Sequence, residues 1–347
     1  MEISIGNKIL GDNHPAFIVA ELSANHSQDF DLAVKTVKAA KAAGADAIKL
    51  QTYTPDTLTI DCDNKYFQLN NGSLWDGETL YHLYQKAYMP WEWQSKLKKV
   101  ADSIGLIFFS APFDTTATDM LEKMNVPAYK VASFELNDIP LVEYIARKGK
   151  PIILSTGIAT LADITAGVNA CHRVGNTQII LLKCTSMYPA PFEEVNLRTM
   201  PHMAQTFQTL VGLSDHTLGI SVPIAAATLG ATVIEKHFIL DKNQESPDAA
   251  FSLDPQEFKQ MVTSVREVEK SLGKITYKVS KNVLKNKKFQ RSLFIVKDVK
   301  KGEVFTAENI RSIRPGYGLE PKFISTILGK TASKNIKRGT PLSWDSI

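Results

Sequence analysis

Eight short apolar runs, helix-patterned segments between them, and a change of character near residue 289 predict a (β/α)₈ TIM barrel followed by a small, mostly β domain. The runs are FIVAEL from Phe17, AIKLQTY from Ala47, LIFFSAPF from Leu106, AYKVASFE from Ala128, PIILSTG from Pro151, IILLKCTS from Ile179, LVGLSDHT from Leu210 and VIEKHFIL from Val233. Near-continuous apolar runs of this length suit parallel strands covered on their outer face. The first intervening helix, DLAVKTVKAAKAAGAD, places Ala33, Val37 and Ala40 on one side and ends at Gly44. An open doubly wound sheet is the alternative, weakened by the lack of a Gly-rich dinucleotide loop after the first strand.

One gap breaks the rhythm. Between AIKLQTY and LIFFSAPF lies a long insertion containing NNGSLWDGETLYHLYQKAY. It follows a strand's C-terminal end, where barrels carry their chemistry, so it is expected to overhang the site. Tyr53, Phe67, Trp75, Tyr81 and Trp91 make this region aromatic, either to pack the insertion or to face a ligand.

A helix from about Pro255 to Leu272 would close a barrel spanning 1–273. A basic linker, 274–288, then leads to a β-like tail, 289–347. From Lys274 to Lys301 the only acid is Asp298. Within the tail, KKGEVFTAENI and KRGTPLSWDSI read as two versions of one unit.

Composition excludes several classes. No run of about 18 apolar residues exists, so no membrane span is expected. MEISIGNKIL is too short and polar for a secretory signal, and three scattered cysteines, Cys62, Cys171 and Cys184, suit a reducing cytoplasm. Cys184, in an apolar run, reads as a buried thiol. Net charge is only +4, and no basic motif interleaved with aromatics suggests nucleic acid.

Chemistry-bearing residues collect at strand ends. GLSDHT places Ser214, Asp215 and His216 in a row, the residue types of a hydrolytic triad. Strand alternation puts Ser214 and His216 on one face and turns Asp215 away, so these three cannot form a relay. His237, one strand later, ends its run as His216 does, and two imidazoles on adjacent strand ends can share a divalent metal. Nitrogen ligands suit Mn, Fe, Co or Zn. Glu21, Glu135 or Asp248 would complete the site or orient an imidazole. Lys49 and Gln51 share a face of the second strand. Lys130, Ser133 and Glu135 follow on the fourth, Ser155 and Thr156 on the fifth, and Lys183, Thr185 and Ser186 on the sixth. Buried lysines need anions, and several converging beside hydroxyls read as a cradle for phosphate or carboxylate. A Schiff-base lysine is the rival reading, against which the two histidines argue.

Taken together, AELSANH, AIKLQTY, YKVAS-E, ILSTG, CTSMYP, GLSDHT, EKHF and SPDAAFSL resemble, in order, the N-acetylneuraminate synthase family. The tail, with IRPGYGL, resembles the SAF (antifreeze-like) domain. ELSANH and the insertion LWDGETLYHLYQKAYMPWEW resemble the pseudaminic acid branch, with the neuraminate and legionaminate branches as alternatives. A pyruvate-dependent metal aldolase is a more distant one.

The resemblance implies a cytoplasmic transferase that condenses phosphoenolpyruvate, an open-chain amino sugar and water, with release of phosphate. It implies a divalent metal, typically manganese, with magnesium or cobalt as substitutes, on His216 and His237. Lys49, Lys130, Ser133, Ser155, Ser186, Tyr188 and Ser214 would meet phosphoenolpyruvate. Glu21, Gln51 and Asp248 would face sugar or metal, and Glu135 the reacting carbons. Arg314 would reach from the SAF domain of a partner in a domain-swapped homodimer. Ala111 and Ser186 stand where the family commonly has threonine and asparagine, which bears on the phosphate and carboxylate contacts.

Overall fold

The computed structural model describes residues 1–70, 72 and 75–347. Residues 71, 73 and 74, part of the NNGSL segment of the insertion, lie outside the described residues. The chain separates into two compact units, Met1–Gly273 and Lys274–Ile347.

The first unit opens with a hairpin, β1 (Glu2–Ile5) and β2 (Lys8–Gly11), paired antiparallel with Ile5 opposite Lys8. The tight turn between them needs the positive φ of Gly6, +59°. Its apolar residues Ile3, Ile5 and Leu10 are buried in the main core. A Cβ at Gly6 would lie 3.2 Å from the Ile107 side chain, so the hairpin packs at the N-terminal end of the barrel strand that starts there.

The eight apolar runs form β3 (Phe17–Glu21), β4 (Ala47–Thr52), β5 (Ile107–Pro112), β6 (Tyr129–Val131), β7 (Ile152–Ser155), β8 (Ile179–Cys184), β9 (Leu210–Asp215) and β10 (Val233–His237). They close into one parallel barrel, β10 pairing back onto β3 with His237 opposite Glu21. Around them lie α1 (Phe30–Ala42), α2 (Pro55–Leu58), α3 (Leu80–Ala87), α4 (Trp91–Ser103), α5 (Thr115–Lys123), α6 (Ile139–Ala146), α7 (Leu161–Arg173), α8 (Thr199–Phe207), α9 (Ser221–Thr228) and α10 (Pro255–Leu272). In α1 the buried face is Ala33, Thr36, Val37 and Ala40, and Asp29 caps its first amides. A capping box of Asp254 and Glu257 starts α10, with Pro255 in the first turn, where its missing N–H costs nothing. No helix is long and apolar enough to cross a membrane, among the described residues.

Alternation along the strands sorts polar residues between two faces. Asp215 and Lys236 are register partners on β9 and β10 and form a buried ion pair of 2.6 Å. Asp215 also accepts from the amide and hydroxyl of Thr217, and Lys236 donates to the Thr217 carbonyl. Asp215 is thereby tied to the wall of the barrel, while its neighbours Ser214 and His216 line the cavity described below.

The second unit has its own core of Leu293, Ile295, Val299, Phe305, Ile310, Ile327, Ala332, Ile336 and Leu342. β11 (Ser292–Ile295) and β12 (Ile310–Ile313) pair antiparallel, and Phe294 bridges to Pro341. The internal repeat is structural as well as textual. Phe305 and Leu342 occupy equivalent places and are both buried. Each precedes a hydroxyl residue, Thr306 or Ser343, whose carbonyl accepts the amide three residues on.

Candidate active site

A cavity of about 410 Å³ opens among the C-terminal ends of the barrel strands, a size typical of small-molecule sites. Its floor is charged. Lys49, only 3 % exposed, sits 2.6 Å from a Glu21 carboxylate oxygen and 3.6 Å from one of Glu235. Ser214 Oγ donates to Glu235 at 3.0 Å. Lys130 Nζ donates to Ser155 Oγ at 2.6 Å and to the Val131 carbonyl at 3.0 Å.

The electrostatics follow from two ammonium groups and two carboxylates buried close together. Burial pushes Glu21 up to about 7, although Lys49 opposes it. Burial also acts to raise Glu235, but Lys49 and Lys130 outweigh it and hold its carboxyl below the usual range. Lys49 is kept charged: the two carboxylates outweigh its burial. Lys130, with less compensation, is pulled below the ordinary lysine value by burial. The floor therefore concentrates lysine and serine donors beside two carboxylates, donors of the kind that suit a multiply charged anion.

His216 and His237 both line the cavity, with ring centroids 5.3 Å apart. His216 Nδ1 lies 3.0 Å from the Thr185 carbonyl, and donation there leaves Nε2 with its lone pair. His237 Nδ1 is buried and makes no hydrogen bond, and Asp248 Oδ2 stands 3.5 Å from it. Burial, with the nearby His216, keeps the His237 imidazole neutral. Two neighbouring imidazoles, one of them with its Nδ1 buried and unbonded, fit a divalent ion. No group of three or more His, Cys, Asp or Glu side chains gathers as a complete cage, among the described residues. Such an ion would thus take its other ligands from water or substrate.

Glu135 lines the cavity with one carboxylate oxygen buried and unbonded. Burial pushes it up to about 7, Lys130 opposing. Gln51 Nε2 donates to Ser23 Oγ at 2.9 Å and to Glu21 at 3.2 Å. The Tyr188 ring lies 4.5 Å from that of His216. Ser133 Oγ accepts the Gly157 amide at 3.0 Å. A Cβ at Gly157 would lie 2.1 Å from Ser186 Oγ and 2.7 Å from Ser133 Oγ, so only glycine lets this strand end approach.

Of the residues singled out in the sequence, Lys49, Gln51, Lys130, Ser133, Glu135, Ser155, Tyr188, Ser214, His216, His237 and Asp248 line this one cavity. Glu21 does not line it; it lies fully buried as the counterion of Lys49. Ser186 lies behind Gly157, outside the lining, and Arg314 belongs to the second compact unit. Lys183 turns away and donates to the Cys184 carbonyl. Ala111 is buried and contributes nothing to the lining. Cys184 is buried as read, but faces the cavity with its sulfur 3.8 Å from His216 Nδ1. Of the five insertion aromatics, Tyr53 and Trp75 line the cavity and Phe67 does not; Tyr81 bonds Asp56 and Trp91 donates to the Tyr53 carbonyl.

Glu235 is the residue that reading by motif missed. The signal was present: it precedes His237 by two in EKH, so alternation places both on one face.

The comparisons with known proteins converge. The NeuB family matches residues 36–277 and the SAF domain residues 290–347. The chain is 48 % identical to the pseudaminic acid synthase of Helicobacter pylori over 334 residues, covering 96 % of this chain and 98 % of the relative. It is 38 % identical to the N,N'-diacetyllegionaminic acid synthase of Legionella pneumophila over 348 residues, 99 % and 97 % of the two chains. The crystal structure of the spore coat polysaccharide biosynthesis protein spsE from Bacillus subtilis superposes with a TM-score of 0.69 at 34 % identity, covering 100 % of this chain and 99 % of that one. On this match of barrel, tail and sequence, the chain belongs to the NeuB family of sialic acid synthase-like enzymes and carries a C-terminal SAF domain.

Proposed function

We propose that the chain is a pseudaminic acid synthase, joining phosphoenolpyruvate, 2,4-diacetamido-2,4,6-trideoxy-L-altrose and water to give pseudaminic acid and phosphate. The observation that carries this reading is the floor bearing Lys49 and Lys130, with the Ser155 and Ser214 hydroxyls, beside the histidine pair and Glu135 in one cavity. The 48 % identity to a pseudaminic acid synthase supports the choice of sugar.

In this reading Lys49, Lys130, Ser155 and Ser214 hold phosphate and carboxylate, fixing C3 of phosphoenolpyruvate against the sugar aldehyde. Gln51, Tyr188 and Asp248 orient the aldehyde end. A divalent ion on His216 and His237, manganese by the family resemblance, would supply Lewis acidity at the aldehyde oxygen. C3 bonds to the aldehyde carbon, whose oxygen takes up a proton, and positive charge develops at C2. The Glu135 carboxylate steadies that charge and accepts a proton from the water that adds to C2. Glu21 acts through Lys49, holding the ammonium in place. Collapse of the C2 hydroxyl to a ketone breaks the C2–O bond, and the hydroxyl proton leaves with phosphate.

The family resemblance also supports a cytoplasmic homodimer in which Arg314 serves a partner copy, and a division of labour between the barrel, the linker from 274 and the tail from 289. Removing everything after Gly273 tests the tail's part: an unchanged KM for the sugar would contradict it. The reading as a whole is tested by offering purified protein phosphoenolpyruvate with the trideoxy altrose sugar, its legionaminate counterpart and N-acetylmannosamine in parallel. Phosphate release greatest with the altrose sugar is expected; preference for another sugar, or turnover with pyruvate, overturns it.

A further inference from the structure

One wall of the cavity has no part in the chemistry above. In α3, Leu80, Leu83, Tyr84 and Ala87 follow the i, i+3, i+4, i+7 spacing of a single helical face, and all four line the cavity. The other side carries exposed His82, Gln85 and Lys86. No residue of α3 is buried, whereas α1 buries four residues in the core. The apolar face of α3 is therefore turned to the cavity and packs no core.

The surroundings extend this face and hold it in place. Leu58 and Leu69 join it from the same insertion. The Tyr53 ring meets that of Tyr84 edge-on at 5.8 Å. Tyr84 and Glu135 line the same cavity, so the apolar wall and the carboxylate given the reacting carbons share one space. On the outer side Tyr81 donates to Asp56 at 3.1 Å, and Gln28 donates to the Lys86 and Tyr88 carbonyls. These bonds fix the orientation of the helix without help from a ligand.

Phosphate and carboxylate find no donors on the leucines of this wall. A hydroxyl buried against Leu80, Leu83 and Ala87 would lose its water and gain no partner from them, whereas a methyl group would gain apolar contact. We infer that the α3 face is the specificity-determining contact for the C6 methyl end of the sugar. This rests on the amino-sugar reading above and adds the element that selects the deoxy sugar over one with a C6 hydroxyl.

The test uses the full-length protein, Leu83→Asn and the conservative Leu83→Met, with phosphoenolpyruvate and either the trideoxy altrose sugar or N-acetylmannosamine, which keeps its C6 hydroxyl. A methyl-sized contact in an apolar pocket is worth about tenfold or more. Leu83→Asn is expected to raise the KM of the trideoxy sugar about tenfold and to lower its kcat/KM relative to N-acetylmannosamine. The KM of phosphoenolpyruvate should stay within about twofold, and Leu83→Met should behave as the unaltered protein. An unchanged sugar KM, or an equal rise in both KM values, overturns the inference while leaving the proposed function intact. Failure of the unaltered protein to use the trideoxy sugar overturns the proposed function, and the inference with it.

Discussion

The floor of the cavity and its α3 wall are built by opposite means. The floor takes Glu21, Lys49, Lys130, Ser155, Ser214 and Glu235 from six different barrel strands, all buried and bonded in two groups, Glu21–Lys49–Glu235–Ser214 and Lys130–Ser155. The wall is one short helix with no buried residue, held by bonds on its outer side. Charge placed in a dry interior needs partners on every side, which a closed barrel supplies. Apolar contact needs only area, which a helix on a loop can present and exchange without disturbing the strands. Under the proposed function, the difference places chemistry at the strand ends and sugar selectivity in the insertion.

The division breaks most directly at Lys130. Lys130→Met should lower kcat/KM for phosphoenolpyruvate about 10³-fold, as losing a preorganised donor to a charged group does elsewhere. Steady-state kinetics check this, and a loss below about tenfold would remove the floor from the chemistry.

Support from behind the floor is the next point to probe. Lys236→Met leaves the Asp215 carboxylate buried without its partner, which costs about 3–5 kcal/mol. Urea unfolding should register that loss. Unaltered stability would mean that the β9 and β10 ends are held by something else.

Glu135 gives a smaller effect with a pH signature. Its pKa of about 7 in the fold lies above the ordinary 4.5, so the folded state binds the extra proton between those values. Native stability from this group therefore falls as pH rises from about 4.5 through 7, while the ionised base needed for turnover accumulates over the same window. Glu135→Gln should lower kcat about 10²-fold, abolish the rise in rate through pH 7, and be more stable than the unaltered protein at pH 8. A rate profile that still climbs through pH 7 in the variant would assign the ionisation to another group. The Leu83 substitutions lie at the small end, about tenfold and confined to the sugar.

The barrel and most of the floor were legible because strand periodicity is strict. Once Lys49 and Gln51, or Ser214 and His216, were placed two apart on a strand, their common face followed. The same rule separated Asp215 from His216, although not its partner Lys236, which is a contact between strands. The hairpin at residues 2–11 was not read, because four-residue strands carry little pattern; its only mark was Gly6–Asn7 between apolar alternations. The wall was the least legible. Amphipathic spacing in LYHLYQKA shows that α3 has an apolar face, but whether that face meets core or cavity is set by tertiary packing. Aromatic content was a partial guide there: Tyr53 and Trp75 line the cavity together with leucines, while Tyr81 and Trp91 hold the insertion together.

The central claim, that the floor holds phosphoenolpyruvate while Glu135 directs water to its C2, is tested most directly by running the reaction in ¹⁸O-labelled water and weighing the released phosphate. Addition at C2 with C–O cleavage predicts phosphate free of label and label at C2 of the product. Label in the phosphate would mean that water attacks phosphorus, and would contradict the role given to Glu135.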